Sequence, residues 1–229
     1  MKIDNFDIFR AHLTFLTHSD RYVVHVLRRP KDVKQIGNSF GSNECQRLLR
    51  TYYIDSLEYF DRKIPAIKEL CESNRARAYI LPQVRNNEDC LMNLAMKVME
   101  TIRNKNYSAK PEHLLRSAYC DNHQSRDKVW VLDLDSSEMY GWTLDQVKQL
   151  VSEKLAACGK DPAKDMYVIQ TKNGNHIITK PFNLQDAYKS CSMLYEGEKK
   201  FFLEDGTKVS RVGWLHKDGM SLLYLNLPD

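Results

Sequence analysis

Two aspartates, two residues apart, close an otherwise apolar run: Val-Trp-Val-Leu-Asp133-Leu-Asp135. In a β-strand alternate side chains share a face, so this spacing sets both carboxylates side by side. Adjacent like charges repel, and their burial is costly without a counter-charge. A hard divalent cation, Mg²⁺ or Mn²⁺, removes both penalties, because it takes carboxylate oxygens together with water and substrate phosphates. With two such ions the site would clamp the attacking and leaving oxygens of a phosphoryl transfer. The structural alternative uses the same residues differently: Asp135 caps the following turn, and Asp133 pairs with a nearby Lys or Arg.

A second stretch, 167–182, reads as strand, tight turn and return strand, with His176 opening the return. Asn173-Gly174 is a strong hairpin signal. Gly174 permits close backbone approach, so a phosphate could lie beside His176. Lys172 and Lys180 add positive charge nearby. Farther upstream, Arg75, Arg77 and Arg85 surround an apolar strand; their planar forks suit phosphate oxygens, although a solvated edge strand explains them equally.

The elements that must position these groups follow from periodicity. Apolar spacing predicts helices over 6–16, 64–74, 88–104 and 143–159 and a short one over 184–191, with Pro65 acceptable only in a first turn. The helix at 88–104 carries Leu91, Leu94, Ala95, Val98, Met99 and Ile102 along one face. Strands are expected at 21–27, 49–54, 77–82 and 129–134, then in hairpins around 172–175 and 204–206, with a last strand at 221–227. The order strand, helix, two strands, helix, strand builds a four-stranded sheet covered on one face. The fold class expected is therefore α+β in two lobes: an N-terminal α/β lobe over 1–110, a connection over 111–127, and an RNA-recognition-motif-like antiparallel lobe over 128–229.

Composition bounds the rest. The chain has 229 residues, 42% apolar and 28% charged, with a net charge of +4. That balance is ordinary for a globular protein and only mildly favourable to a polyanionic partner. Six scattered cysteines without a C-x-x-C pair exclude a disulfide framework and a cysteine-built zinc knuckle, and point to a reducing, cytoplasmic setting. No run of about 18 apolar residues exists, so no membrane partner is expected. Neither a Walker-type loop nor G-x-G-x-x-G is present.

A strand ending in D-x-D, a helix, and then a hairpin bearing G-x-H resembles the archaeo-eukaryotic primase superfamily, which includes the primase-polymerases. The resemblance covers 128–182 by motif and the remainder by element order. It implies that Asp133 and Asp135 hold catalytic Mg²⁺ or Mn²⁺ and that His176 contacts the triphosphate of an incoming nucleotide. Lys172, Lys180 and one or more of Arg75, Arg77 and Arg85 would then neutralise phosphate charge. The reaction implied is attack of a 3′-hydroxyl on an α-phosphate with loss of pyrophosphate. A nucleoside triphosphate and DNA or RNA would be its partners, with replication proteins acting in trans. The family completes its metal site with a third acid on a later strand. Here Asp218 is the best placed, ahead of Glu204 and Asp205, which read as a turn. Without that acid the chain would be a non-catalytic nucleic-acid or protein-binding module on the same fold. A metal-dependent nuclease or phosphohydrolase is the other alternative.

Overall fold

In the computed structural model residues 1–30, 32, 47–121, 128–135, 143–183, 186–187, 201–202, 208–209 and 217–227 are described. They fall into two units, Met1–Asp127 with Leu222–Asp229, and Lys128–Ser221.

In the first unit β1 (Lys2–Asp4), α1 (Phe6–His12), β2 (Asp20–Arg28), β3 (Arg47–Ile54), α2 (Leu57–Asn74), β4 (Arg77–Asn86), α3 (Asn87–Arg103) and α4 (Pro111–Cys120) follow one another. The chain's last strand, β11 (Ser221–Asn226), returns to this unit, and the sheet order is β1-β11-β4-β2-β3. Residues 222–229 are thus no part of the second lobe expected from sequence. Leu222, Leu223, Tyr224 and Leu225 are all buried, and β11 lies between β1 and β4, so its backbone has a strand on either side. Residues 111–120, expected as a connection with room for one short helix, form the ten-residue α4, which packs on α3.

Two prolines depart from expectation. Pro65 lies inside α2 rather than in its first turn, because the helix begins seven residues earlier than position 64, at Leu57. Ser56 supplies the cap, accepting the Tyr59 N–H at 3.2 Å. Phe60, Ile67 and Cys71 bury the inner face of α2, while Pro65 itself is exposed. Packing on both sides of the proline therefore outweighs its cost of about 3 kcal/mol in a helix interior. Pro82 does not end β4 either. The strand continues to Asn86 through an irregularity opposite Arg21 and Val23, where a residue without an N–H interrupts the ladder.

The second unit runs β5 (Trp130–Asp135), α5 (Leu144–Ala157), α6 (Pro162–Asp165), β6 (Met166–Gln170), β7 (Gly174–Thr179), a short hairpin of β8 (Phe201–Phe202) and β9 (Lys208–Val209), and β10 (Lys217–Asp218). Thr143 and Gln146 form a reciprocal capping box that starts α5 where sequence places it. The sheet order is β10-β5-β7-β6, antiparallel throughout, with α5 crossing from β5 to β6. Numbered within this sheet alone the order is 4-1-3-2, that of an RNA-recognition-motif-like sheet. One face of the sheet carries the core, where Leu132, Leu134 and Ile177 pack with Val147, Leu150, Val151 and Leu155 of α5 and with Phe182. The helix expected at 184–191 falls within the described residues only at Asp186 and Ala187, both helical. The protein is α+β in two units, and no helix among its described residues is long and apolar enough to cross a membrane.

Candidate functional site

Burying Leu132 and Leu134 against α5 leaves Val131, Asp133 and Asp135 on the opposite face of β5. Pairing with β7 then sets Asp133 directly across from His176, and Asp135 across from Gly174. On the far side of β7, His176 pairs with Ile169. Gly174 bonds to the remaining partner in its row, its carbonyl accepting the Thr171 N–H at 2.9 Å. Two rows, Asp133–His176–Ile169 and Asp135–Gly174–Thr171, therefore lie side by side at one end of the sheet.

The hairpin expected here forms, but one residue off. Lys172 and Asn173 make the turn, neither with positive φ, and Gly174 is already the first residue of β7. Glycine is required at 174 for space rather than for its backbone conformation. A Cβ there would lie 2.0 Å from the Leu134 carbonyl oxygen. The close approach made possible by Gly174 is thus toward the D-x-D strand itself.

His176 is only 7% exposed. Its Nδ1 stands 2.9 Å from the Ser221 hydroxyl oxygen, and its Nε2 3.4 Å from Asp133 Oδ1. The second distance is too long for a good hydrogen bond. Asp133 Oδ1 is in fact a buried carboxylate oxygen with no hydrogen-bond partner, and so is the hydroxyl oxygen of Thr171 in the adjacent row. Two orphaned buried oxygens on one sheet face are costly in isolation. This arrangement fits a Mg²⁺ or Mn²⁺ ion held by Asp133 and Asp135, which would complete its shell with water and phosphate oxygens. Among the described residues no group of three His, Cys, Asp or Glu side chains is poised to hold a metal unaided.

The other residues singled out by sequence are distributed unevenly. Asp218 lies on β10, next to β5, registered opposite Val131 and so in the row before Asp133. Glu204 and Asp205 lie outside the described residues. Lys172 sits in the turn beside Gly174. Lys180 lies four residues beyond His176, past the Trp130 end of β5, roughly 13 Å along the strand.

Arg75, Arg77 and Arg85 belong to the first unit. Arg75 is the left-handed C-cap of α2, with φ 49°. Arg77 is buried and forked onto Asp32, its Nε 2.7 Å from Oδ2 and its Nη2 bonded to Oδ1. Arg85 is fully buried, and that burial lowers its pKa. None of the three has the exposure of a solvated edge strand.

Sequence reasoning passed over Ser221 and Thr171. Ser221 was visible as a lone hydroxyl heading the apolar run Leu222–Leu227, but its partner lies 45 residues away. A polar cluster in the first unit was also missed. His25 Nδ1 lies 2.9 Å from Thr51 Oγ1, and its Nε2 3.5 Å from Cys120 Sγ. Burial first, and then the positive charge of Arg116, push His25 down to about 4. A histidine within the apolar run Val23–Leu27 was the available signal. No family model, curated protein or solved structure matches the chain.

Proposed function

We propose that the second unit binds a nucleoside triphosphate with Mg²⁺ or Mn²⁺ and serves a primase-like nucleotidyltransferase. The observation that carries this reading is the cross-strand pair Asp133–His176, with its orphaned buried carboxylate oxygen, beside the row Asp135–Gly174–Thr171. Asp133 is half-buried, and a carboxylate oxygen shut off from water with no hydrogen bond of its own costs more than it contributes to stability.

The roles divide by position. Asp133 and Asp135 would hold the cation, which when bound neutralises charge developing on transferred phosphate oxygens. The Ser221 hydroxyl can donate to Nδ1 of His176, which leaves Nε2 carrying the proton and facing Asp133. In that tautomer the one ring N–H of His176 faces Asp133 and would turn to a phosphate oxygen once a cation takes the carboxylate. Thr171 offers a hydroxyl in the same face, and Lys172 a positive charge at the turn. Asp218, on the strand next to β5 and registered opposite Val131, is the candidate for a third acid. DNA or RNA would supply the attacking 3′-hydroxyl.

Calorimetric titration of a nucleoside triphosphate in the presence of Mn²⁺ tests the site. Asp133→Ala/Asp135→Ala should weaken metal-dependent binding at least about a hundredfold, in keeping with the loss of both charged ligands. Equal affinity in wild type and double variant would sink the reading. With binding established, products separate the reactions: pyrophosphate and a longer strand for transfer, shortened strands or free phosphate for hydrolysis. Salt-sensitive nucleic-acid binding that ignores divalent metal would mark a non-catalytic module instead.

A further inference from the structure

Helix α3 is amphipathic in the usual way, but its apolar face is turned outward. Cys90 is its one fully buried residue. Leu91, Met92, Ala95, Met96, Met99 and Ile102 form a continuous exposed stripe, with Met92 69% and Met99 71% accessible. Isolated exposed apolar residues are ordinary, whereas a contiguous helical stripe marks a contact surface. Three methionines in it suit an interface that must mould itself to its partner.

The charges at the two ends of the stripe identify that partner. At 100° per residue, Glu88 and Arg103 fall within the same angular sector as the apolar residues, one at each end. Both are exposed, Glu88 while also accepting the Ser19 hydroxyl at 2.8 Å. Suppose a second copy of the helix is laid antiparallel across the first, with a two-fold axis passing between positions 95 and 96. Glu88 then faces Arg103 of the other copy, Met92 faces Met99, and Ala95 faces Met96. Every contact occurs twice, and each acidic end meets a basic end. That is the self-complementarity a two-fold interface demands. A parallel arrangement would instead stack Glu88 on Glu88 and Arg103 on Arg103.

We propose that the outward face of α3 is a homodimer interface, in which the helix packs antiparallel on its own copy about an axis beside Ala95 and Met96. The contact is confined to one 17-residue helix of each copy, so the dimer should be weak and dissociate in the micromolar range.

Sedimentation of the full chain across about 1–100 μM tests this. Wild type should dimerise reversibly, and Met96→Lys, which brings two like charges together at the axis, should be monomeric with an unchanged far-ultraviolet spectrum. Glu88→Arg and Arg103→Glu should each weaken the dimer roughly tenfold, as two attractive rim pairs become repulsive. The double swap E88R/R103E should recover most of that loss. A wild type that stays monomeric throughout overturns the proposal, as does a dimer indifferent to Met96→Lys. Single swaps that the double swap fails to rescue also overturn it, since only the antiparallel self-pairing makes the two charges partners. If a monomeric wild type instead binds anionic vesicles through this stripe, the partner is a lipid surface and the dimer is refuted.

Discussion

His25 and His176 are the same residue in nearly the same local setting, and they differ in what each ring faces. Each lies in a buried strand, and each has its Nδ1 2.9 Å from a hydroxyl, Thr51 or Ser221. The difference is at Nε2. His25 meets the Cys120 sulfur at 3.5 Å, with Arg116 as its charged neighbour, and is held neutral with its pKa down to about 4. His176 meets a carboxylate oxygen, Asp133 Oδ1, that has no hydrogen bond of its own. A hydroxyl at Nδ1 fixes a ring in either role; what faces Nε2 decides whether the site is sealed or open to chemistry. The first cluster is closed by a thiol, a weak partner that asks for nothing further. The second leaves a carboxylate oxygen without a hydrogen bond, which is the feature the proposed cation would satisfy.

The widest separation between the two sites should come from Gly174→Ala. A methyl group 2.0 Å from the Leu134 carbonyl must push β7 off β5, at a cost of about 2–4 kcal/mol. It should weaken nucleotide binding in step with denaturant stability, while the His25 cluster in the other unit keeps its pH dependence. A variant as stable as wild type would show that β7 does not need to lie so close.

Next is a pH effect belonging to His25 alone. Its folded pKa lies below the unfolded value of about 6.5, so the unfolded chain takes up the proton first and stability falls as pH falls. The loss should begin near pH 6.5 and reach about 2 kcal/mol at pH 5, levelling off below pH 4. Urea unfolding at pH 7.5 and pH 5 should show this increment in wild type, and a much smaller one in His25→Gln. An equal pH response in both would place the titrating group elsewhere.

The smallest effect is the sharpest discriminator. Thr51→Ala and Ser221→Ala each remove one hydroxyl from a histidine ring and should each cost about 1 kcal/mol of stability. Only Ser221→Ala should also alter Mn²⁺-dependent nucleotide binding. If Thr51→Ala changes it as much, the two histidines are not functionally distinct.

Much of this molecule is legible in short windows. The alternation in Trp130–Asp135 places both aspartates opposite the core face, and the Thr143/Gln146 box starts α5 on the expected residue. The heptad-like spacing of α3 marks its apolar stripe without a partner in view. These features depend on side chains within a few residues of one another, where backbone geometry alone sets the neighbours.

What the amino-acid order by itself determined, then, is most of the longer elements, the D-x-D spacing on one face, and the α+β class with its four-stranded second sheet. Only the tertiary structure decided that β11 belongs to the first unit, that Arg77 is spent on Asp32, and that the face of α3 looks outward. It alone set His176 between Ser221 and Asp133, in a register where Gly174 clears the Leu134 carbonyl. The partners in these contacts are tens to hundreds of residues apart. Which strand edge is free and which helix face finds cover are settled by competition among all the surfaces at once, and no local window carries that information.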